Sequence, residues 1–143
     1  MHRFIRFTVC AGLTLSLAAV TAHAVDTPQA LAQKAAEQWL ALLDAGKYGE
    51  SWDAASEGFK NAVNRKDWES QLKARAALGK LISRTLTKSD VMSNPPDVPP
   101  GEYVAIRYLS SFENLKSAVE LVIPILDKDR EWRVSNYLIR KSE

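Results

Sequence analysis

Cysteine and histidine are absent from this sequence once its first 24 residues are set aside. The single cysteine is Cys10, and the two histidines are His2 and His23. Their absence from the remainder excludes thiol nucleophiles, serine–histidine–aspartate triads, disulfide bonds, and zinc or iron centres with thiolate or imidazole ligands. Chemistry in that remainder therefore depends on carboxylate, lysine, tyrosine, serine and arginine side chains.

Concentrated positive charge is also lacking. Arg3 and Arg6 account for two of the 19 basic residues, so the remaining chain carries 17 basic and 17 acidic residues. A neutral domain lacks the field that attracts a phosphate backbone, and we expect no nucleic-acid partner. The sequence has no Asp-x-Asp-x-Asp-Gly loop and no glycine-rich phosphate loop, so we expect no metal and no cofactor.

The first 24 residues have the pattern of a secretory signal peptide. A short basic start with Arg3 and Arg6 precedes an apolar run over residues 8–20, and small residues follow at Ala22 and Ala24. The run is shorter than the roughly 20 residues that span a bilayer as a helix. We expect cleavage after Ala24, no membrane insertion afterwards, and a periplasmic or secreted protein.

Residues 25–143 have the length of one domain, and their first half predicts three amphipathic helices. The first helix starts at Thr27-Pro28, runs to about Ala45 and ends at Gly46. A second helix follows from Tyr48 to Phe59. Asn64 caps the third, whose buried side is marked by Trp68, Leu72 and Ala76 and which ends at Leu78-Gly79.

The second half predicts four antiparallel strands, over residues 81–91, 102–112, 116–128 and 131–140, joined by short turns. Four of the six prolines fall in 94–101, which predicts an extended, exposed connection. The alternation of the last strand changes parity, which predicts a bulge near Asn136. The sequence thus predicts an α+β fold, whose core between the layers contains Trp39, Trp52, Trp68 and Trp132. Ligand stacking on one of these rings is the alternative.

The order of elements and several short motifs resemble the bacterial domain-of-unknown-function family 4019 over essentially the whole of residues 25–143. The motifs are Tyr48-Gly49-Glu50-Ser51-Trp52, Arg75-Ala76-Ala77-Leu78-Gly79 and Trp132-Arg133-Val134-Ser135-Asn136-Tyr137. This family is similar in layout to the nuclear-transport-factor-2-like superfamily. The resemblance implies a cone of three helices wrapped by a curved four-stranded antiparallel sheet. Because that superfamily hosts enzymes, binding proteins and assembly modules, the resemblance selects no function.

Five side chains are candidates for binding a ligand: Trp52, Arg75, Arg107, Tyr108 and Tyr137. Either arginine can bind a carboxylate through two hydrogen bonds. The alternative is an internal ion pair, for example with Glu120, or an arginine head group in solvent. Asp53 is the weak catalytic candidate, as a general base within the cone, and its alternative is a solvated position near a helix start.

The segment Leu121-Val122-Ile123-Pro124-Ile125-Leu126 is apolar on both faces of its strand, which predicts cover on both sides or a subunit contact. Leu121, Ile123 and Ile125 are therefore candidate contacts in a homodimer. Three functions stay open: a non-catalytic module for a small ligand or an envelope protein, a small isomerase, lyase or hydrolase using Asp53, and a structural module acting through the sheet. Since histidine and cysteine are absent, we favour the non-catalytic module.

Overall fold

A computed structural model describes residues 26–143, and the predicted signal peptide lies outside the described residues. The chain forms an α+β fold with one four-stranded antiparallel sheet, as predicted. The elements in chain order are α1 Pro28–Asp44, α2 Tyr48–Asp53, α3 Glu57–Ala62, α4 Arg65–Ala76, β1 Leu81–Ser93, β2 Glu102–Phe112, β3 Ala118–Leu126 and β4 Trp132–Lys141.

The two long helices begin where the sequence predicts, and α1 also ends as predicted, whereas α4 ends at Ala76, two residues before the predicted Leu78. The Thr27 hydroxyl accepts a hydrogen bond from the Ala30 N–H, and the Asn64 side chain accepts one from the Asp67 N–H. Gly46 follows α1 with a φ of 72°, in the left-handed region that glycine adopts without strain. These termini depend on local chemistry, which is why the sequence predicts them.

The predicted helix from Tyr48 to Phe59 is wrong: two short helices, α2 and α3, replace it. The buried Ser56 begins α3 instead, because its hydroxyl accepts from the Phe59 N–H at 3.2 Å. Its own N–H donates to the Val134 carbonyl of β4. A contact with the sheet thus breaks the helix, and the described residues form four helices rather than three.

The strands lie in the order β1-β2-β3-β4, which confirms the predicted meander. The bulge predicted near Asn136 is also confirmed. Ile123 pairs with Asn136 and Pro124 pairs with Val134, so the extra residue is Ser135. The Ser135 hydroxyl donates to the Ile123 carbonyl at 2.7 Å, and the bulge restores Tyr137 to the face that packs on the helices.

The core lies between the helices and the inner face of the sheet, which we define as the face carrying Val104, Ile106 and Val122. Trp39 and Trp68 are buried in it, with ring centroids 5.8 Å apart. Trp52 and Trp132 are half-buried and pack against its margin. The predicted core position is therefore confirmed for Trp39 and Trp68, whereas Trp52 and Trp132 only pack against the core. Among the helices of residues 26–143, none combines the length with the apolar character that a membrane-spanning helix requires.

Candidate functional site

A cluster of charged side chains lies between α1, α4 and the sheet, and we call it the buried cluster because Glu120 and Arg75 are buried at its centre. The side chains of Arg84 and Asp44 at its edge are 12% and 22% exposed. At its centre is Glu120 of β3, whose side chain has no exposed surface. Its carboxylate accepts hydrogen bonds from Arg84 Nε at 2.7 Å, from the Tyr137 hydroxyl at 2.6 Å and from the Ser110 hydroxyl. Arg75 Nη2 approaches it at 3.4 Å.

Asp44, the last residue of α1, is the second acid of this cluster. Its carboxylate pairs with Arg75 at 2.7 Å and with Arg84 at 2.7 Å. The four charged residues are joined by four ion pairs, and their charges sum to zero. Such pairing satisfies charges that are costly to bury alone.

Both carboxylates are held in their ionised form. Burial by itself raises the pKa of Glu120, but hydrogen bonds from Arg84, Ser110 and Tyr137 outweigh it, so its pKa lies below the ordinary value. Burial also raises the pKa of Asp44, but the hydrogen bonds from Arg84 and Arg75 outweigh it. The pKa of Asp44 therefore also lies below its ordinary value. A general base needs a pKa near the working pH, and neither carboxylate meets that requirement.

Arg75 and Tyr137 are the two predicted ligand-binding residues that the structure brings together. Arg75 Nε donates to the Tyr137 hydroxyl at 3.0 Å. Arg75 also occupies the buried position on α4 that the sequence assigned to Ala76, which is exposed, so that assignment was wrong. The predicted alternative of an internal pairing with Glu120 is observed, and ligand binding by Arg75 stays a prediction.

The other predicted ligand-binding residues lie apart from this pair. Tyr108 is buried on the inner face, where its hydroxyl has no hydrogen-bond partner among residues 26–143. Burial raises its pKa to about 12. Arg107, which precedes Tyr108 in β2, is exposed on the opposite face of the sheet. Trp52 is half-buried, and its indole N–H donates to the Val63 carbonyl at 2.7 Å.

Asp53, the catalytic candidate, lies on the surface rather than inside the fold. Its side chain is 51% exposed and pairs with Arg65 at 2.9 Å. The alternative of a solvated helix residue therefore describes Asp53, and its role as a general base stays a prediction. The side chain is exposed because α2 ends at Asp53, so no later turn of helix covers its carboxylate.

A cavity of about 370 Å³ opens between α4 and β4; we call it the arginine cavity. Arg75 and Tyr137 line it together with Arg140, Lys141 and apolar side chains that include Leu72, Leu78 and Leu115. It thus joins the buried charged cluster to the surface. No acidic residue lines it within the described part of the chain.

A larger cavity of about 610 Å³ lies between α3, the proline-rich segment 94–101 and the outer face of the sheet; we call it the loop cavity. Most of its walls are apolar: Phe59, Met92, Val98, Tyr103, Ile123, Ile125 and Leu126, with four prolines. The bulge residues Ser135 and Asn136 add polar groups. The charged residues at its edge, Glu57, Asp127 and Lys128, carry both signs.

The proline-rich segment is exposed, as predicted, but hydrogen bonds fold it back over the sheet instead of leaving it simply extended. The Asn94 N–H donates to the Gly101 carbonyl at 2.8 Å, and the Gly101 N–H donates to Asn94 Oδ1 at 2.9 Å. The Tyr103 hydroxyl donates to the Pro99 carbonyl at 2.7 Å. These bonds fix the roof of the loop cavity.

The predicted dimer contacts Leu121, Ile123 and Ile125 share the outer face, where each is half-buried. Ile123 and Ile125 form the floor of the loop cavity. Leu121 instead pairs across the strands with Leu138, which is 53% exposed. The strand is thus covered on its inner face and partly open on its outer face.

Sequence reasoning missed Asp44 and Arg84, two of the four charged residues in the buried cluster. Neither residue lies in a motif or on a buried helix face that the sequence patterns indicate. The sequence of β3 does indicate the cluster, because Glu120 shares the buried face of the strand with Ala118 and Val122. A carboxylate at such a position requires buried cationic partners. Within residues 26–143, no three His, Cys, Asp or Glu side chains are grouped to hold a metal ion.

Comparison with known proteins adds a family and a fold. A family described as "Protein of unknown function (DUF4019)" matches residues 35–137. Among solved structures, a protein from Catenulispora acidiphila superposes with a TM-score of 0.51 at 13% sequence identity, covering 78% of this chain and 88% of that one. Identity this low shows a shared fold alone. No curated protein matches the chain at a significant level.

Proposed function

Because the chain belongs to the DUF4019 family, whose description assigns no function, we propose a function from its own geometry: a non-catalytic module that binds a small, neutral, mainly apolar ligand in the loop cavity. The observation that carries this proposal is the preformed roof. Tyr103 and the Asn94–Gly101 bonds hold a proline-rich segment above an apolar floor and leave about 610 Å³ between them.

The size and chemistry of the loop cavity support a small ligand. Small-molecule sites typically enclose about 300–1,000 Å³, have mostly apolar walls and carry a few polar groups that orient the ligand. Ser135 and Asn136 are such polar groups here. The edge carries both signs of charge, and Asp127 is already paired with Arg133 at 3.3 Å, which favours a neutral ligand. A rigid roof lowers the entropic cost of binding.

Two observations favour binding over catalysis. Asp53 is exposed and paired with Arg65, away from both cavities. Glu120, the buried carboxylate, is surrounded by donors and kept ionised. A carboxylate that acts as a general acid or base must exchange its proton with a substrate, and neither residue is arranged to do so.

The proposal includes a location and an assembly. We place the module in the periplasm or outside the cell, on the strength of the signal-peptide pattern in residues 1–24. We also propose that the domain is related to the nuclear-transport-factor-2-like superfamily. A homodimer through the outer face is supported by Leu109 and Leu138, which are 45% and 53% exposed.

Native mass spectrometry of the protein purified from the periplasm tests the proposed function. We expect a neutral small molecule to co-purify at one per chain. The matched variant is Gly58→Trp, since Gly58 lines the loop cavity and a Cβ there meets no atom within 4 Å. It should carry no ligand, whereas Ser70→Trp, exposed on α4 and outside both cavities, should carry as much as the wild type. A ligand retained by Gly58→Trp would contradict the proposal.

A further inference from the structure

We propose that the arginine cavity is a second binding site, for ligands that carry a carboxylate on a short apolar body. Its charged lining consists of Arg75, Arg140 and Lys141 and includes no acidic residue of the described chain. Leu72 and Leu78 are among its apolar walls, and its volume of about 370 Å³ suits a short chain. This site is separate from the loop cavity and takes a different class of ligand.

Arg75 supplies the hydrogen-bond donor. Its side chain is only 7% exposed, and its Nε and Nη2 are occupied by Tyr137, Asp44 and Glu120. Its Nη1 has no partner among residues 26–143. Ser89 and Tyr108 are the described residues with a buried side-chain atom that lacks a partner, and Arg75 is not among them. The guanidinium is therefore fixed by two of its nitrogens, and since Arg75 lines the cavity, the third nitrogen is the donor that this proposal assigns to the ligand.

The charge of the site favours an anion. Within the buried cluster, Arg75 and Arg84 balance Asp44 and Glu120, so Arg75 alone gives a directed donor without net charge. Arg140 and Lys141 add the net positive charge, because both are exposed and neither forms an ion pair with any described residue. A carboxylate ligand in the arginine cavity would therefore contact the fixed Arg75 donor at its base and the cationic Arg140 and Lys141 at its mouth.

Titration of the isotope-labelled protein with sodium octanoate, followed by NMR, tests this inference. We expect octanoate to shift the Arg75 Nε–H and Leu138 amide signals saturably and added salt to weaken the effect. The neutral analogue 1-octanol should not shift the Arg75 signal. The amide signals of Tyr103 and Ile125 report on the loop cavity, so binding there is distinguished from binding beside Arg75.

Two variants locate the octanoate site. Arg75→Lys keeps a cation near Asp44 but removes Nη1, and we expect about a tenfold loss of octanoate affinity. If that variant fails to fold, Ala74→Trp is tested instead, because Ala74 is exposed and lines the cavity. Its control is Ser70→Trp, on the same helix but outside the cavity. Ala74→Trp should abolish the Arg75 shift, and Ser70→Trp should preserve it.

The inference is overturned if octanoate leaves the Arg75 signal unchanged, if 1-octanol shifts it equally, or if Ala74→Trp binds octanoate as the control does. It is also overturned if octanoate shifts only Tyr103 and Ile125. Failure of the loop cavity to bind a neutral ligand does not bear on it, since the two cavities share no lining residue.

Discussion

The carbonyl oxygen of Val134 accepts a hydrogen bond from the N–H of Ser56 at 2.9 Å. Val134 stands opposite Pro124, which has no N–H to donate to the sheet. The bond fixes the start of α3 against β4, and α3 in turn forms one wall of the loop cavity. The break between α2 and α3, the bulge in β4 and the loop cavity therefore lie next to one another in this corner of the fold.

Replacement of Ser56 by alanine should destabilise this corner. The Ser56 hydroxyl caps α3 by accepting from the Phe59 N–H, and loss of such a cap lowers the free energy of unfolding by about 1 kcal/mol. Urea denaturation measures the change. Ser70→Ala, at an exposed position within α4, is the control. An effect of Ser56→Ala no larger than that of the control contradicts the assigned cap.

Glu120→Gln should be the more severe substitution. It removes the central negative charge of the buried cluster and leaves Arg75 and Arg84 with Asp44 alone. Breaking a buried pair in this way lowers the free energy of unfolding by about 3–5 kcal/mol. Glu131→Gln, at an exposed turn, should change it by less than about 0.5 kcal/mol. Similar values for the two variants would contradict the structural role of the cluster.

Stability should depend on pH in the acid range. The folded protein holds the pKa values of Glu120 and Asp44 below their ordinary values, so the unfolded chain binds protons first as the pH falls. Their contribution is complete above the unfolded pKa, about 4, and is lost as the pH drops through the lower folded values. Urea midpoints should therefore be level above about pH 5 and fall below about pH 4.

A variant lacking both carboxylates, Asp44→Asn with Glu120→Gln, is the control for that pH dependence. Its urea midpoint should fall less steeply below about pH 4, because two groups that take up protons on unfolding are gone. An unchanged slope would assign the acid sensitivity to other carboxylates.

The two inner-face tyrosines should respond in opposite ways to loss of the hydroxyl. The Tyr137 hydroxyl donates to Glu120 and accepts from Arg75, so Tyr137→Phe should lower the free energy of unfolding by about 1–3 kcal/mol. The buried Tyr108 hydroxyl has no partner among the described residues, so Tyr108→Phe should raise it by about 1 kcal/mol. Thermal unfolding measures both, and a destabilised Tyr108→Phe contradicts this account.

Features of this fold that depend on neighbouring residues were predictable from the sequence. Thr27 and Asn64 cap their helices through residues three positions away. The parity change in β4 predicted the bulge because each residue of a strand alternates between two faces. Each of these features depends on residues only a few positions apart, so a single sequence is enough to predict it.

Features that depend on distant residues were not predictable in the same way. Ser56 ends one helix and begins another through a contact with Val134, and Asp44 meets Arg84 across 40 positions of the sequence. The loop cavity depends on how Tyr103 holds Pro99 above β3. Each of these contacts joins residues that come together only in the packed sheet. A single sequence does not show which distant residues will be close in space.

Fluorescence titration with the neutral apolar dye N-phenyl-1-naphthylamine tests the central claim most directly. The wild type should bind one dye per chain saturably, Ser70→Trp should bind within about twofold of it, and Gly58→Trp should bind at least about tenfold more weakly because its indole fills the loop cavity. Equal dye affinity in Gly58→Trp and Ser70→Trp, or no saturable binding to the wild type, would contradict the claim that the loop cavity is a ligand site.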